Sequence, residues 1–235
     1  MTKEKTTGLL LIAGAIGVLI PYTILTITFE YPDILRQDRG AILTKFHNGG
    51  SPLIFTWWAF AILGLPLLIA YILIGQILEN KLNLIKWVTT IGVISVVVQI
   101  IALLRWVFVV PVLANSYVSA SDASVKISAI ISFQTVHQFG GVLLGEHIGQ
   151  LFTIIWTVML SYAFMKLHLF ARWISWLGVI ASVIYLLAQA ELFATVIPGF
   201  PVWNMAGFAG STLWLIWLIS VGIKFFTLKT NDLGS

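Results

Sequence analysis

Residues 65–104 read LPLLIAYILIGQILENKLNLIKWVTTIGVISVVVQIIALL. Two apolar runs flank the short polar stretch Glu79-Asn80-Lys81-Leu82-Asn83, and neither shows the period-two alternation of a membrane barrel strand. About 20 largely apolar residues suffice to cross hydrocarbon as a helix, and a connection this short makes the two helices an antiparallel hairpin. Working outward, six stretches qualify: 8–29, 52–78, 84–114, 142–167, 170–192 and 202–223. A second tight hairpin falls at His168.

The composition demands the same environment. Of 235 residues, 59% are hydrophobic and 9% charged, with a mean hydropathy of +1.00. A soluble domain carries about 25% charged residues to clothe its surface, so lipid is the solvent here. The net charge of +4 is too small and too dispersed for nucleic acid. The absence of cysteine excludes disulfides, thiolate metal sites and a thiol nucleophile. The opening Met1-Thr2-Lys3-Glu4-Lys5 imitates a signal peptide, but the run 8–29 is long enough to span and is read as a helix that stays. No boundary or repeat divides the chain, so residues 1–235 are read as a single six-helix transmembrane domain.

Orientation follows from the flanking cations. With a cytoplasmic N-terminus, Lys3, Lys5, Lys81, Lys86, Lys166, Arg172, Lys224 and Lys229 are inside, against Arg36, Arg39, Lys45 and Lys126 outside. The bias places both termini in the cytoplasm and the protein in the cell membrane. Two outer segments are more than loops. A short surface helix is expected over 33–47. If 122–167 were one straight helix it would be about 69 Å long, over twice the hydrocarbon thickness, so a bend is expected at Gly140-Gly141. The fold class is therefore all-α: a polytopic membrane protein of six transmembrane helices, with an additional interfacial or re-entrant helix before the fourth span.

Ionisable side chains within spans cost a few kcal/mol each and need partners or water. Arg105, Glu146 and Glu191 are such residues. Arg105 lies 19 residues beyond Lys86, and Glu191 lies 19 beyond Arg172. Both are thus about 28 Å from the inner surface, with Glu146, His147 and Asn204 near the same level. The inner halves of the spans are almost purely apolar. That asymmetry points to a polar pocket opening outward rather than a polar path across the membrane. In α-helical geometry Gln134, Gln138, Glu146 and Gln150 share one row, beside His137, Gly141, Gly145 and Gly149. The glycines either permit close helix packing or let a flat ligand lie against the backbone. Arg105 and Glu146 are either a structural ion pair or, for Arg105, a bidentate anchor for a carboxylate or phosphate.

His47, His137 and His147 are metal candidates, with Glu146 as a general base, although no HxxxH or HExxH spacing supports a zinc site, nor any spacing a haem site. His168 reads as a solvated loop residue. The tryptophans Trp57, Trp58, Trp106 and Trp203 on one side, and Trp87, Trp173 and Trp176 on the other, read as an aromatic belt, although Trp106 could also line a pocket. GxSxG, phosphate-loop and dinucleotide motifs are absent.

The element Gly145-Glu146-His147-Ile148-Gly149-Gln150-Leu151 resembles a family of small bacterial six-span membrane proteins of unknown function, common in Bacillus-like organisms. Further matching pieces are Tyr31-Pro32-Asp33-Ile34-Leu35-Arg36, Phe46-His47-Asn48-Gly49-Gly50 and Arg105-Trp106 with Pro111-Val112-Leu113-Ala114. The resemblance implies the six-helix architecture and brings no activity, substrate or cofactor. The residues themselves favour binding of a small amphipathic ligand, lipid or cofactor by Arg105, Glu146, His147, Gln150, His137 and Glu191. The alternatives are a metal-dependent hydrolase acting on a lipid-like substrate, and a structural or accessory membrane subunit.

Overall fold

A computed structural model describes residues 1–228. Lys229, counted above among the inner cations, lies outside the described residues. Every regular element among those residues is helical, and six segments are long and apolar enough to cross a membrane. The protein is a multi-pass membrane protein. In chain order the elements are α1 (Lys3–Phe29), a 3-10 turn (Asp33–Arg36), α2 (Arg39–Ile62), α3 (Leu65–Leu78), α4 (Leu84–Phe108), α5 (Val110–Ser119), α6 (Ala123–Val136), a π-helix (His137–Gly149), α7 (Gln150–Lys166), α8 (Arg172–Leu187), α9 (Gln189–Ala194) and α10 (Ala206–Thr227).

Local chemistry sets the interruptions. The segment expected as one short helix over 33–47 is instead a 3-10 turn followed by α2, because the Asp38 carboxylate accepts a hydrogen bond from the Ala41 N–H at 3.0 Å and starts the helix at Arg39. Inside α2 the chain kinks at Gly50, whose φ of 55° and ψ of −153° suit only glycine. Pro52, lacking an N–H, follows two residues later. Pro111 near the start of α5 likewise offsets it from α4. Asp122 caps α6 by accepting from the Ser124 N–H at 2.8 Å, and these bonds hold its carboxyl below the usual range. Asn204 precedes α10, lying in a turn beyond Pro201, and does not begin the sixth helix.

At Gly140-Gly141, where the sequence suggests a bend, the backbone widens to the π register over His137–Gly149 and then returns to α. The helical ladder from Ala123 to Lys166 covers 44 residues, far more than the ~20 that cross hydrocarbon. The i,i+4 rows drawn through Gln138, Glu146 and Gln150 assume α geometry. An i→i+5 ladder shifts those faces.

The chain divides into two compact units, whose boundaries fall within α1, α4 and the π-helix and at the turn between α2 and α3. Unit two comprises Ile16–Gly64 and Val98–Gly145, with α5 packed on α2 and α6. Its core is aromatic. Trp57 and Trp106 stack at 4.7 Å with planes 12° apart, Phe46 stacks on Trp106 at 5.5 Å, and Phe29 meets all three rings edge-on. Trp57 and Trp106 are fully buried and do not belong to a belt. The belt reading holds in exposure for Trp58, Trp87, Trp173, Trp176 and Trp203.

Unit one comprises Met1–Ala15, Leu65–Val97 and Glu146–Ser235, with α8 packed against both α7 and α10. Its core holds Trp156, Trp217 and Tyr71, with Tyr71 stacked on Trp156 at 3.8 Å. Small residues allow the closest approaches, as expected where lipid supplies no hydrophobic drive between helices. A Cβ at Gly222 would stand 2.8 Å from Ile12 Cγ1 and 3.0 Å from the Gly8 carbonyl oxygen.

Gly222→Leu is therefore expected to destabilise the protein by about 1–3 kcal/mol, the usual cost of overpacking. A thermal melt in detergent checks this: the midpoint should fall, and an unchanged midpoint would refute the close α1–α10 packing.

Candidate functional site

In unit two, α4 delivers Arg105 to the π-helix. Its guanidinium donates through Nη1 to the Ala102 carbonyl oxygen and lies 5.3 Å from the centre of the Trp106 ring. A Cβ on Gly141 would stand 2.6 Å from Arg105 Nη2 and 3.0 Å from Cζ, and one on Gly145 would stand 2.8 Å from the Ala102 Cβ. These two glycines are thus the seats of Arg105 and Ala102, and the close-packing reading of the glycine row is the one the geometry fits.

His137 closes the same cluster. It is 2% exposed, stacks on Phe133 at 5.5 Å and meets Trp106 edge-on at 6.4 Å. Its ring hydrogen-bonds the backbone of Leu35. The Leu35 carbonyl oxygen also accepts from Arg39 Nη1 at 3.1 Å. Three guanidinium groups, those of Arg105, Arg36 and Arg39, lie close enough to act electrostatically on His137. The 3-10 turn places Arg36 on the surface, whereas Arg39 and Arg105 are half-buried. Guanidinium groups stay charged at any ordinary pH. Within the same unit Lys45 pairs with Glu30 at 2.6 Å and holds that carboxyl below its usual range.

In unit one, Glu146, His147 and Gln150 are gathered by a residue the sequence reading missed, Gln189. Buried at 5% exposure, Gln189 donates through Nε2 to the Glu146 carbonyl oxygen and to Gln150 Oε1, both at 2.9 Å. Its own Oε1 lies 2.8 Å from His147 Nδ1. An amide oxygen only accepts, so with this amide orientation His147 carries its proton on Nδ1. Phe193 packs edge-on against the same ring at 6.1 Å. One turn below, the Gly149 carbonyl oxygen accepts from the hydroxyls of both Ser95 and Thr153, at 2.9 and 3.0 Å. These bonds occupy a carbonyl at the junction where the π ladder ends.

The predicted residues thus fall into two sets: Arg105 and His137 in unit two, and Glu146, His147 and Gln150 in unit one. Glu191 is half-buried, two residues past Gln189. His47 is exposed. Among the described residues no three His, Asp or Glu side chains stand together as a metal site, so His47, His137 and His147 are not brought together as one. In the sequence Arg36 and Arg39 read as outer charges of the 33–47 segment, with no sign that they act near His137. Gln189 carried one signal, a lone amide in the apolar run Leu186-Leu187-Ala188-Gln189-Ala190.

The family described as Domain of unknown function (DUF4386) matches residues 6–222, and the chain belongs to it. No curated protein and no solved structure matches the chain significantly.

Replacing Gln189 by Leu leaves its partly buried partners without their amide and is expected to cost about 1–3 kcal/mol. The histidine ring nitrogens report it directly. In ¹⁵N spectra His147 should lose its fixed Nδ1–H tautomer, and an unaltered tautomer would remove Gln189 from the network.

Proposed function

We propose that this family member binds a small amphipathic molecule, such as a lipid or an amphipathic cofactor, through the arginine cluster of unit two. The observation that supports this reading is the half-buried Arg105 guanidinium over the Trp106 ring, beside the buried His137, which also feels the charges of Arg36 and Arg39. A guanidinium beside an aromatic core offers one surface that can meet both the acidic and the apolar part of such a molecule. A guanidinium fork matches a carboxylate or phosphate with two parallel hydrogen bonds. The aromatic surfaces of unit two suit the apolar part of the same molecule. Arg105 is the anchor of the acidic group in this reading, and Arg36 and Arg39 add charge beside it.

The proposed location is the cell membrane, with both termini cytoplasmic. The excess of flanking lysine and arginine on that side supports it, and the Arg105 end of α4 then faces outward. Glu146, His147, Gln150 and Glu191 are the other candidate contacts. The hydrogen bonds of His147 and Gln150 with Gln189 favour a structural role for those two.

A second reading, a structural or accessory subunit, is favoured by the seating of Arg105 on Gly141. The two readings separate in one experiment with a fluorescent fatty acid and its methyl ester as probes. Binding is expected to favour the acid, and Arg105→Ala should weaken it about 10–100-fold, the worth of a charge-assisted hydrogen bond. Arg36→Gln, at an exposed position, should weaken it a few-fold with an unchanged melting midpoint. Equal binding of acid and ester would overturn the proposal. Loss of thermal stability in Arg105→Ala, with no change of binding in Arg36→Gln, would establish the structural reading instead.

A further inference from the structure

The connection Glu79–Asn83 joins α3 to α4, and both belong to membrane-spanning segments. A turn between two spans sits by construction at the lipid–water boundary. There a depression of about 510 Å³ is lined by Asn83, Lys86, Trp87 and Thr90. All four are exposed, with Trp87 at 67%. Thr90 donates its hydroxyl to the Lys86 carbonyl oxygen at 2.9 Å, so its lone pairs can only accept. The donors facing outward are the Lys86 ammonium, the Asn83 amide and the Trp87 indole N–H. Glu79, the one acid in the connection, is not part of the lining.

Below this polar rim the same helix face is apolar and exposed. Ile94 and Val97 are 40% and 39% exposed and follow Trp87 at seven and ten residues. At 3.6 residues per turn these positions keep to one stripe. Ten residues of α-helix rise about 15 Å, half of the ~30 Å hydrocarbon thickness. The stripe is therefore one leaflet deep. A cationic rim at the boundary above an apolar stripe of that depth has the dimensions of one phospholipid.

We infer that Lys86, Asn83 and Trp87 hold the phosphate of an anionic glycerophospholipid, whose acyl chain lies along Ile94 and Val97. The phosphate takes hydrogen bonds from the ammonium, amide and indole. The Trp87 ring stays at the headgroup level where its apolar body and polar N–H are both satisfied. Soluble phosphate would use the rim but not the stripe. This site shares no residue with the arginine cluster.

The test is native mass spectrometry on protein reconstituted in mixed phosphatidylglycerol and phosphatidylcholine. Wild-type protein should retain phosphatidylglycerol preferentially. Lys86→Gln should lower that preference about fivefold, the worth of one lysine at an anionic surface, and Trp87→Ala should shorten retention. Lys81→Gln, in the same connection but outside the lining, serves as the control and should behave as wild type. All these positions are exposed, so melting midpoints should not move. An unchanged lipid ratio in Lys86→Gln, or an equal loss in Lys81→Gln, would overturn the site. Displacement of the lipid by millimolar inorganic phosphate would likewise overturn the lipid assignment.

Discussion

In hydrocarbon no water is at hand for a backbone N–H or C=O that leaves its helical partner. Hydroxyls and backbone carbonyls are accordingly paired within the chain in many of its helices. Threonine and serine hydroxyls bond back to the carbonyl four residues earlier throughout the chain, as at Thr7, Thr44, Thr56, Thr89 and Thr157. Where the π-helix gives way to α7, the Gly149 carbonyl takes two hydroxyls, one local and one from Ser95 on α4. The Glu146 carbonyl, three residues earlier, takes the Gln189 amide. The wide register from His137 to Gly149 thus persists where other elements supply donors to it. π segments are often found where function resides, and here the segment carries His137, seats Arg105 and presents His147.

The same solvent determines how the interior is built. Because lipid chains are as apolar as leucine, sorting apolar residues inward gains little, and large aliphatic residues such as Ile94 and Ile127 can remain on the outside. The interiors instead hold groups that pack closely or carry a polar edge. Trp57, Trp106, Trp156 and Trp217 are fully buried, and hydroxyls such as Thr157, which accepts from Trp214 Nε1, sit among them. Guanidinium charge beside such a core is the exception to that pattern, which is why Arg105, with Arg36 and Arg39, carries the functional proposal.

The architecture was legible in the sequence because spanning length and turn chemistry are local. All six spans were recognisable; the sixth begins a few residues late, after Pro201, while the second and fourth helical segments begin well before the apolar runs, at Arg39 behind the Asp38 cap and at Ala123 behind the Asp122 cap. Arg105, His137, Glu146, His147 and Gln150 stood out as polar groups in apolar runs. What escaped depends on tertiary partners. Gln189 looks like any half-polar residue until the π-helix is laid against it. Trp57 and Trp106 sit at the sequence level expected of a belt, and only the meeting of α2 and α4 puts them face to face. The π register also escaped, since a ladder widened over thirteen residues leaves no mark in a pattern read at 3.6 residues per turn.

The two units each contain a buried indole pair of different geometry. In unit two Trp57 and Trp106 lie nearly parallel at 4.7 Å, whereas in unit one Trp156 and Trp217 meet almost at right angles at 5.5 Å. Parallel rings at that spacing overlap their π-clouds, and perpendicular ones do not. Their electronic transitions accordingly couple in different ways, giving each unit its own near-ultraviolet dichroic signature. The chain thus carries two intrinsic optical gauges, one beside the arginine cluster and one among the helices that surround α8.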